Sequence, residues 1–156
     1  MINAFKKVKT EKKLVIAGGS SDTQAYEEEI KKQAEGDARI IFTGFVQGRM
    51  LEELYSNAYI YILPSDLEGM PLSLLEAMSY GNCCLISDIE ECASVVGDNA
   101  MLFHRGNSED LQKNMQTLCD HPEIVEKYRA EAGKFITKNY DWSKVVDQTL
   151  QLYRGQ

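Results

Sequence analysis

The sequence predicts an α/β fold, a parallel sheet lying between two layers of helices. Three observations point there. Short apolar runs recur at residues 13–17, 39–43, 59–63, 83–86 and 100–103. The segments between them carry apolar residues at helical spacing. The runs themselves are continuously apolar rather than alternating, as strands covered on both faces require.

Residues 1–9 put Ile2, Phe5 and Val8 on one side of a short helix. The strand at 13–17 runs into Gly18-Gly19-Ser20-Ser21, where the glycine pair looks like half of a dinucleotide turn without completing GxGxxG. Ser21 with Gln24 makes a capping box. The helix behind it is striped by Tyr26, Ile30 and Ala34, with Glu27–Lys31 and Glu28–Lys32 pairs on the solvent side. The strand at 39–43 ends in Gly44-Phe45-Val46, and Met50, Leu51, Leu54, Tyr55 and Ala58 define the next helix.

The run Tyr59-Ile60-Tyr61-Ile62-Leu63 reads as a buried strand. Pro64-Ser65-Asp66 break it, Glu68-Gly69-Met70 form a tight link, and Pro71 opens a helix at the position where its missing N–H costs nothing. Leu72, Leu75 and Met78 stripe that helix, and Gly81 ends it. Cys83 and Cys84 then sit adjacent on a strand, facing opposite sides of the sheet. A weak helix at 90–96 and a short strand at 100–103 follow. From Ser108 the chain is helical. Leu111, Met115 and Leu118 form one stripe, and Pro122 opens a second helix with Val125, Tyr128, Ala132, Phe135 and Ile136. Asp141 caps a third helix with Trp142, Val145, Val146, Leu150 and Tyr153, where Trp142 reads as core packing.

Length and composition bound what such a fold does. A chain of 156 residues is one domain, residues 1–156, and 44% apolar with 26% charged residues is ordinary for a soluble globular protein. The net charge of −7 and the lack of any basic run make nucleic acid and anionic membrane surfaces poor partners. Cysteines at 83, 84, 92 and 119 show no CxxC spacing and read as small core residues of a reducing, cytoplasmic compartment. His104 and His121 fit no ligand pattern, so no zinc site is expected. There is no signal peptide, no apolar span and no GxSxG elbow for a hydrolase nucleophile.

The stretch at 58–81 carries the chemistry. A strand feeding a helix through a glycine-containing turn leaves backbone N–H groups and a partial positive charge at the strand's carboxyl end, a place that suits a phosphate. Two acids flank it: Glu68 in the turn and Glu76 among Leu74, Leu75, Ala77 and Met78. A carboxylate in apolar company needs hydrogen bonds, and the vicinal hydroxyls of a ribose supply them. Spacing leaves a plainer reading open, with Glu76 toward solvent and Glu68 merely charging the helix start. Asp66-Leu67-Glu68 superficially resembles an acidic metal-binding triplet. The helix dipole and the Leu72 and Ser73 N–H groups offer the same neutralisation without a metal.

Glu68-Gly69-Met70-Pro71-Leu72-Ser73-Leu74-Leu75-Glu76 resembles the Glu-seven residues-Glu signature of group 1 glycosyltransferases, the retaining family 4 of the GT-B fold. Leu14-Val15-Ile16-Ala17-Gly18, Ile41-Phe42-Thr43-Gly44, Leu63-Pro64-Ser65, Tyr80-Gly81-Asn82 and Asp141-Trp142 follow the family's order, so the likeness covers nearly the whole chain. It implies a Rossmann-like donor half, the C-terminal half of a GT-B enzyme, in which Glu76 holds the ribose and Glu68 lies beside the donor sugar as the catalytic residue. Gly69, Met70, Pro71, Leu72 and Ser73 would face the diphosphate and sugar, and Gly18, Phe45 and Val46 the nucleotide. The implied partners are a UDP- or GDP-sugar and a glycan or lipid-linked acceptor on another domain, with peripheral membrane association open to a full-length enzyme. No cofactor or metal is implied. The family's first donor-domain strand, and the arginine and lysine after it that bind the diphosphate, precede the residues matched here. In the doubly wound order that strand lies between 13–17 and 59–63. These strands are therefore expected to close up, to admit a neighbour's strand, or to hold together loosely, and the chain alone is expected not to turn over. An epimerase donor half and a non-catalytic nucleotide-binding module share the same residues.

Overall fold

A computed structural model describes residues 1–19 and 24–155. The elements alternate as the apolar runs imply. Helix α1 (Ile2–Phe5) leads to β1 (Leu14–Ala17), α2 (Gln24–Ala34), β2 (Ile40–Gly44), α3 (Arg49–Asn57), β3 (Tyr61–Leu63) and α4 (Leu72–Ser79). Then come β4 (Cys84–Ser87), α5 (Glu90–Val96), β5 (Met101–Phe103), α6 (Ser108–Asp120), α7 (Pro122–Asn139) and α8 (Trp142–Tyr153). The Ser21–Gln24 capping box lies outside the described residues.

All recorded pairing is parallel, in two separate sheets: β1 with β2, and β3–β4–β5. Cys84 of β4 pairs with Tyr61, and Ser87 with Phe103. β4 is thus the inner strand of the larger sheet, and each of its four residues is buried. The run at 59–63 was expected to be the buried strand, but β3 is only half-buried. The physical reason is that among the described residues β3 pairs with β4 alone, and its other edge has no strand beside it.

β1 and β3 do not close up into one sheet. They share an apolar layer instead: Leu14 and Ile16 pack in one cluster with Ile60, Ile62 and Leu85, under Ala4, Phe5, Leu111, Met115, Leu118 and Val125. At the strands' leading ends the Lys12 ammonium lies 3.7 Å from the centre of the Tyr59 ring, and the Tyr59 hydroxyl donates to the Leu118 carbonyl at 2.9 Å. The two sheets therefore run in the same sense, with their carboxyl ends on one side.

Cys83 and Cys84 face opposite layers as adjacent strand positions must. Cys83 lies with α1 and α6, and Cys84 lies with Tyr55, Leu74, Met78, Cys92, Val96, Ala132 and Ile136. Helices thus cover both faces of the larger sheet. The helix stripes at Leu111, Met115, Leu118, Val125, Ala132 and Ile136 are buried as spaced. Two expectations fail. Tyr26 is exposed on α2, and α8 buries nothing: Trp142 is 77% exposed, and Val145, Val146, Leu150 and Tyr153 are exposed with it. The Asp141 cap is present, its carboxylate accepting from the Ser143 N–H at 2.8 Å.

Candidate functional site

β3 delivers the chain to the candidate site and α4 carries it away. Pro71 caps this helix rather than beginning it: its ψ of 74° is non-helical, and its carbonyl accepts the Leu74 and Leu75 N–H groups at 3.0 and 3.2 Å. The Leu72 N–H folds back onto the Met70 carbonyl at 2.8 Å, so it is not the open donor expected. The Ser73 N–H has no acceptor among the described residues and keeps that role. Of the apolar stripe, Leu72 is exposed; the buried face is Leu74, Ala77 and Met78.

Glu68 is half-buried in the turn. Its Oε1 accepts from the Ser65 hydroxyl at 2.6 Å, and the Ser65 carbonyl accepts the Ser87 hydroxyl at the end of β4. The turn is thereby tied to the neighbouring strand. Glu76 follows the plainer of the two sequence readings, toward solvent, and not the buried one. It is exposed, on the flank of the helix rather than among its buried leucines, so the desolvation argument for a ligand no longer applies to it. Its carboxylate is nevertheless held, with the Tyr55 hydroxyl donating to Oε2 at 3.1 Å.

Tyr61 stands between these acids. Its hydroxyl donates to Ser73 Oγ at 2.9 Å. Burial pushes that hydroxyl up to about 12, and the Glu68 and Glu76 carboxylates add to the shift, which puts both acids within electrostatic reach of one phenol. Burial likewise pushes the Cys92 thiol up to about 11, with Glu68 as the next cause. A shallow cleft of about 320 Å³ adjoins the turn, lined by Gly69, Met70, Glu90, Glu91, Ser94 and Val95.

The remaining expected residues lie on the smaller sheet. The Gly18 N–H donates to the Gly44 carbonyl at 2.9 Å, and Gly18 adopts a φ of +128° that a side chain would resist. Phe45 is 78% exposed and Val46 half-buried, so this corner presents an apolar ring at the carboxyl ends of β1 and β2. No hydrogen bond joins it to the Glu68–Ser73 turn among the described residues. Tyr55, Tyr61, Ser65 and Asn82 were not singled out as site residues by the sequence. A tyrosine one helix earlier in the chain gives no local signal of an acid 21 positions on.

The turn and its two acids thus lie at the carboxyl end of β3, on the side where open parallel α/β sheets hold their ligands. The chain belongs to the glycosyl transferases group 1 family, whose model matches residues 1–138. It is 26% identical over 144 residues to the uncharacterized glycosyltransferase MJ1607 of Methanocaldococcus jannaschii, covering 91% of this chain and 37% of that protein. It is 25% identical over 167 residues to the alpha-maltose-1-phosphate synthase of Mycobacterium tuberculosis, covering 99% of this chain and 43% of that protein. Anabaena Alr3699/HepE, solved in complex with UDP and glucose, shares the fold with a TM-score of 0.90 at 18% identity, over 99% of this chain and 44% of its own. The chain thus spans less than half the length of these relatives. The expected Rossmann-like GT-B architecture stands. No helix among the described residues is long and apolar enough to cross a membrane.

Proposed function

We propose that residues 1–156 are the nucleotide-sugar-binding part of a retaining glycosyltransferase that moves a hexose from a UDP- or GDP-sugar to a glycan or lipid-linked acceptor. The observation that carries this reading is the turn at the end of β3. Glu68 and Glu76 bracket it, and the Ser73 N–H, without an acceptor among the described residues, lies between them in sequence. The UDP-bound relative of the same fold supports it.

In this reading the Glu76 carboxylate, acceptor-only when ionised, takes the ribose hydroxyls. The Ser73 N–H, at the positive end of α4, meets the diphosphate. Glu68 lies against the donor sugar. Phe45, Val46 and Gly18 line the base side, and Gly69, Met70, Pro71 and Leu72 shape the turn. The acceptor hydroxyl attacks the anomeric carbon on the face from which the phosphate leaves, so the configuration is retained. The protein's part is to hold the sugar and stabilise charge on the departing diphosphate, with each charge-assisted hydrogen bond supplying about 1.5–3 kcal/mol. No metal takes part, and the reaction is cytoplasmic. The basic residues for the diphosphate and the acceptor site come from outside these residues, so this chain binds donor weakly and does not turn over alone.

Isothermal titration of UDP and of GDP into the chain tests this. Weak, saturable binding of one nucleotide is expected, reduced in Glu76→Gln and unchanged by EDTA. Absence of binding, or an unaffected Glu76→Gln, overturns the site. Sugar transfer by the chain alone overturns the division of labour. In a full-length protein Glu68→Gln lowers turnover more than binding.

A further inference from the structure

Glu76 is an exposed glutamate on the second turn of a helix, yet its carboxylate has a fixed partner. Tyr55 reaches it from α3, with its hydroxyl 3.1 Å from Oε2 and 3.4 Å from the Ser73 carbonyl. One phenolic proton serves one acceptor at a time, and the nearer, charged oxygen is the stronger of the two. Tyr55 is itself immobilised. It is buried, its ring stacks on Tyr80 at 5.5 Å between centroids, and its other neighbour, Tyr61, is at 6.0 Å. Its backbone is clamped too: the buried Asn82 amide donates to the Tyr55 carbonyl at 2.9 Å and to the Ala77 carbonyl at 3.0 Å. Ala77 follows Glu76 directly, so one side chain fixes α3 to the very turn of α4 that bears the acid.

We infer that Tyr55 is a positioning residue, which orients the Glu76 carboxylate so that its remaining lone pairs meet the 2′- and 3′-hydroxyls of a nucleotide ribose. The inference rests on the reading of Glu76 given above. A carboxylate has about four lone-pair sites, and the phenol occupies one of them. The rest point outward, since Glu76 is exposed. Without the phenol the acid still has its charge but samples several rotamers, and binding a diol must then order it. Burial, first of all, and the neighbouring Tyr61 and Glu76 raise the Tyr55 hydroxyl well above the usual tyrosine value, so it stays a donor throughout the working pH range. Besides Glu76, its surroundings are Tyr61, Tyr80, Cys84 and the Ser73 carbonyl, and none of them donates to Oε2 among the described residues.

The test compares UDP with 2′,3′-dideoxy-UDP, titrated by ligand-observed NMR into the 156-residue chain and its Tyr55→Phe, Glu76→Gln and double variants. Phenylalanine keeps the ring stack, and melting curves report any loss of folding. The wild-type chain is expected to prefer UDP. Glu76→Gln should abolish that preference, and Tyr55→Phe should cut it by roughly three- to tenfold while leaving dideoxy-UDP affinity unchanged. The double variant should match Glu76→Gln. If Glu76→Gln loses the preference and Tyr55→Phe keeps it, the positioning role is refuted and the ribose assignment survives. If Tyr55→Phe weakens both nucleotides equally, the residue is structural only. If the wild-type chain shows no preference, or binds neither nucleotide, the ribose assignment and the inference fall together.

Discussion

Replacing Asn82 with alanine tests the join between α3 and α4 on which the placement of Glu76 rests. Asn82 is fully buried, and its amide nitrogen donates to the carbonyls of Tyr55 and Ala77. These two acceptors are not equivalent. Ala77 also accepts the Asn82 backbone N–H at 3.1 Å and remains paired in the variant. Tyr55 lies in the last turn of α3, where no helical N–H follows to take its carbonyl. The substitution therefore strands one buried acceptor, at about 1–3 kcal/mol, and loses one further hydrogen bond worth about 1 kcal/mol. Against this, Asn82 Oδ1 is buried with no partner among the described residues, and deleting it relieves a desolvation cost of about 1–2 kcal/mol. The small void left behind adds about 1 kcal/mol. The expected net loss is about 2 kcal/mol, or a fall in melting temperature of roughly 4–8 °C for a chain of this size. Urea unfolding followed by circular dichroism measures it, and the UDP preference should shrink together with stability. A change of less than about 0.5 kcal/mol would mean that the amide does not clamp the two helices.

An acid and a set of buried thiols titrate away from their ordinary values. Arg39 holds the Asp37 carboxyl at about 2, against an ordinary 3.8, through side-chain hydrogen bonds of 2.7 and 2.9 Å. A depressed folded-state value gives stability that is present above the ordinary value and lost as pH falls through the depressed one. The melting-temperature gap between wild type and Asp37→Asn should thus be constant above pH 5 and narrow toward pH 2; a gap independent of pH over that range excludes the ion pair as its source. Burial pushes Cys83 up to about 12 and Cys92 up to about 11, raises Cys84 as well, and leaves Cys119 as the partly accessible one. A colorimetric thiol reagent at pH 8 should therefore react at no more than one site in the native chain and at all four after unfolding, and rapid labelling of two or more would refute the burial of the thiols around β4 and α5.

Much of the fold was legible because it rests on local pattern. The apolar runs found the strands, and the facing of Cys83 and Cys84 followed from the two-residue repeat of a strand. Stripes at Leu111, Met115, Leu118, Val125, Ala132 and Ile136 became buried as spaced. The misreadings share one cause. Apolar spacing says that a face wants cover but not whether a partner is there to provide it. β3 has an apolar strand's composition and one bonded neighbour, and α8 has an apolar face with Trp142 in water. In the site, Glu68 and Glu76 were found as a spaced pair, but spacing counts residues and not angles. Position 76 falls on the flank of α4, beside the buried face of Leu74, Ala77 and Met78 rather than inside it.

That displacement changes what must hold the acid. A buried carboxylate would have called for a ligand on energetic grounds alone, whereas an exposed one is content with water and has to be aimed by other groups. The aim comes from across the fold. Tyr55 supplies the hydroxyl, the Tyr80 stack fixes the ring, and Asn82 ties the α3 backbone to the residue after the acid. Each of these contacts spans a stretch of chain over which sequence spacing carries no angular information. The two halves of the site therefore arise differently. The turn at 64–73 is written locally, in a strand, a proline and a helix start, while the orientation of Glu76 is a tertiary property of the α3–α4 join. A lesion at Asn82 or Tyr55 should accordingly loosen the Glu76 carboxylate while the N-terminal end of the same helix, held by the Pro71 carbonyl and the Ser65–Ser87 tie, keeps its geometry.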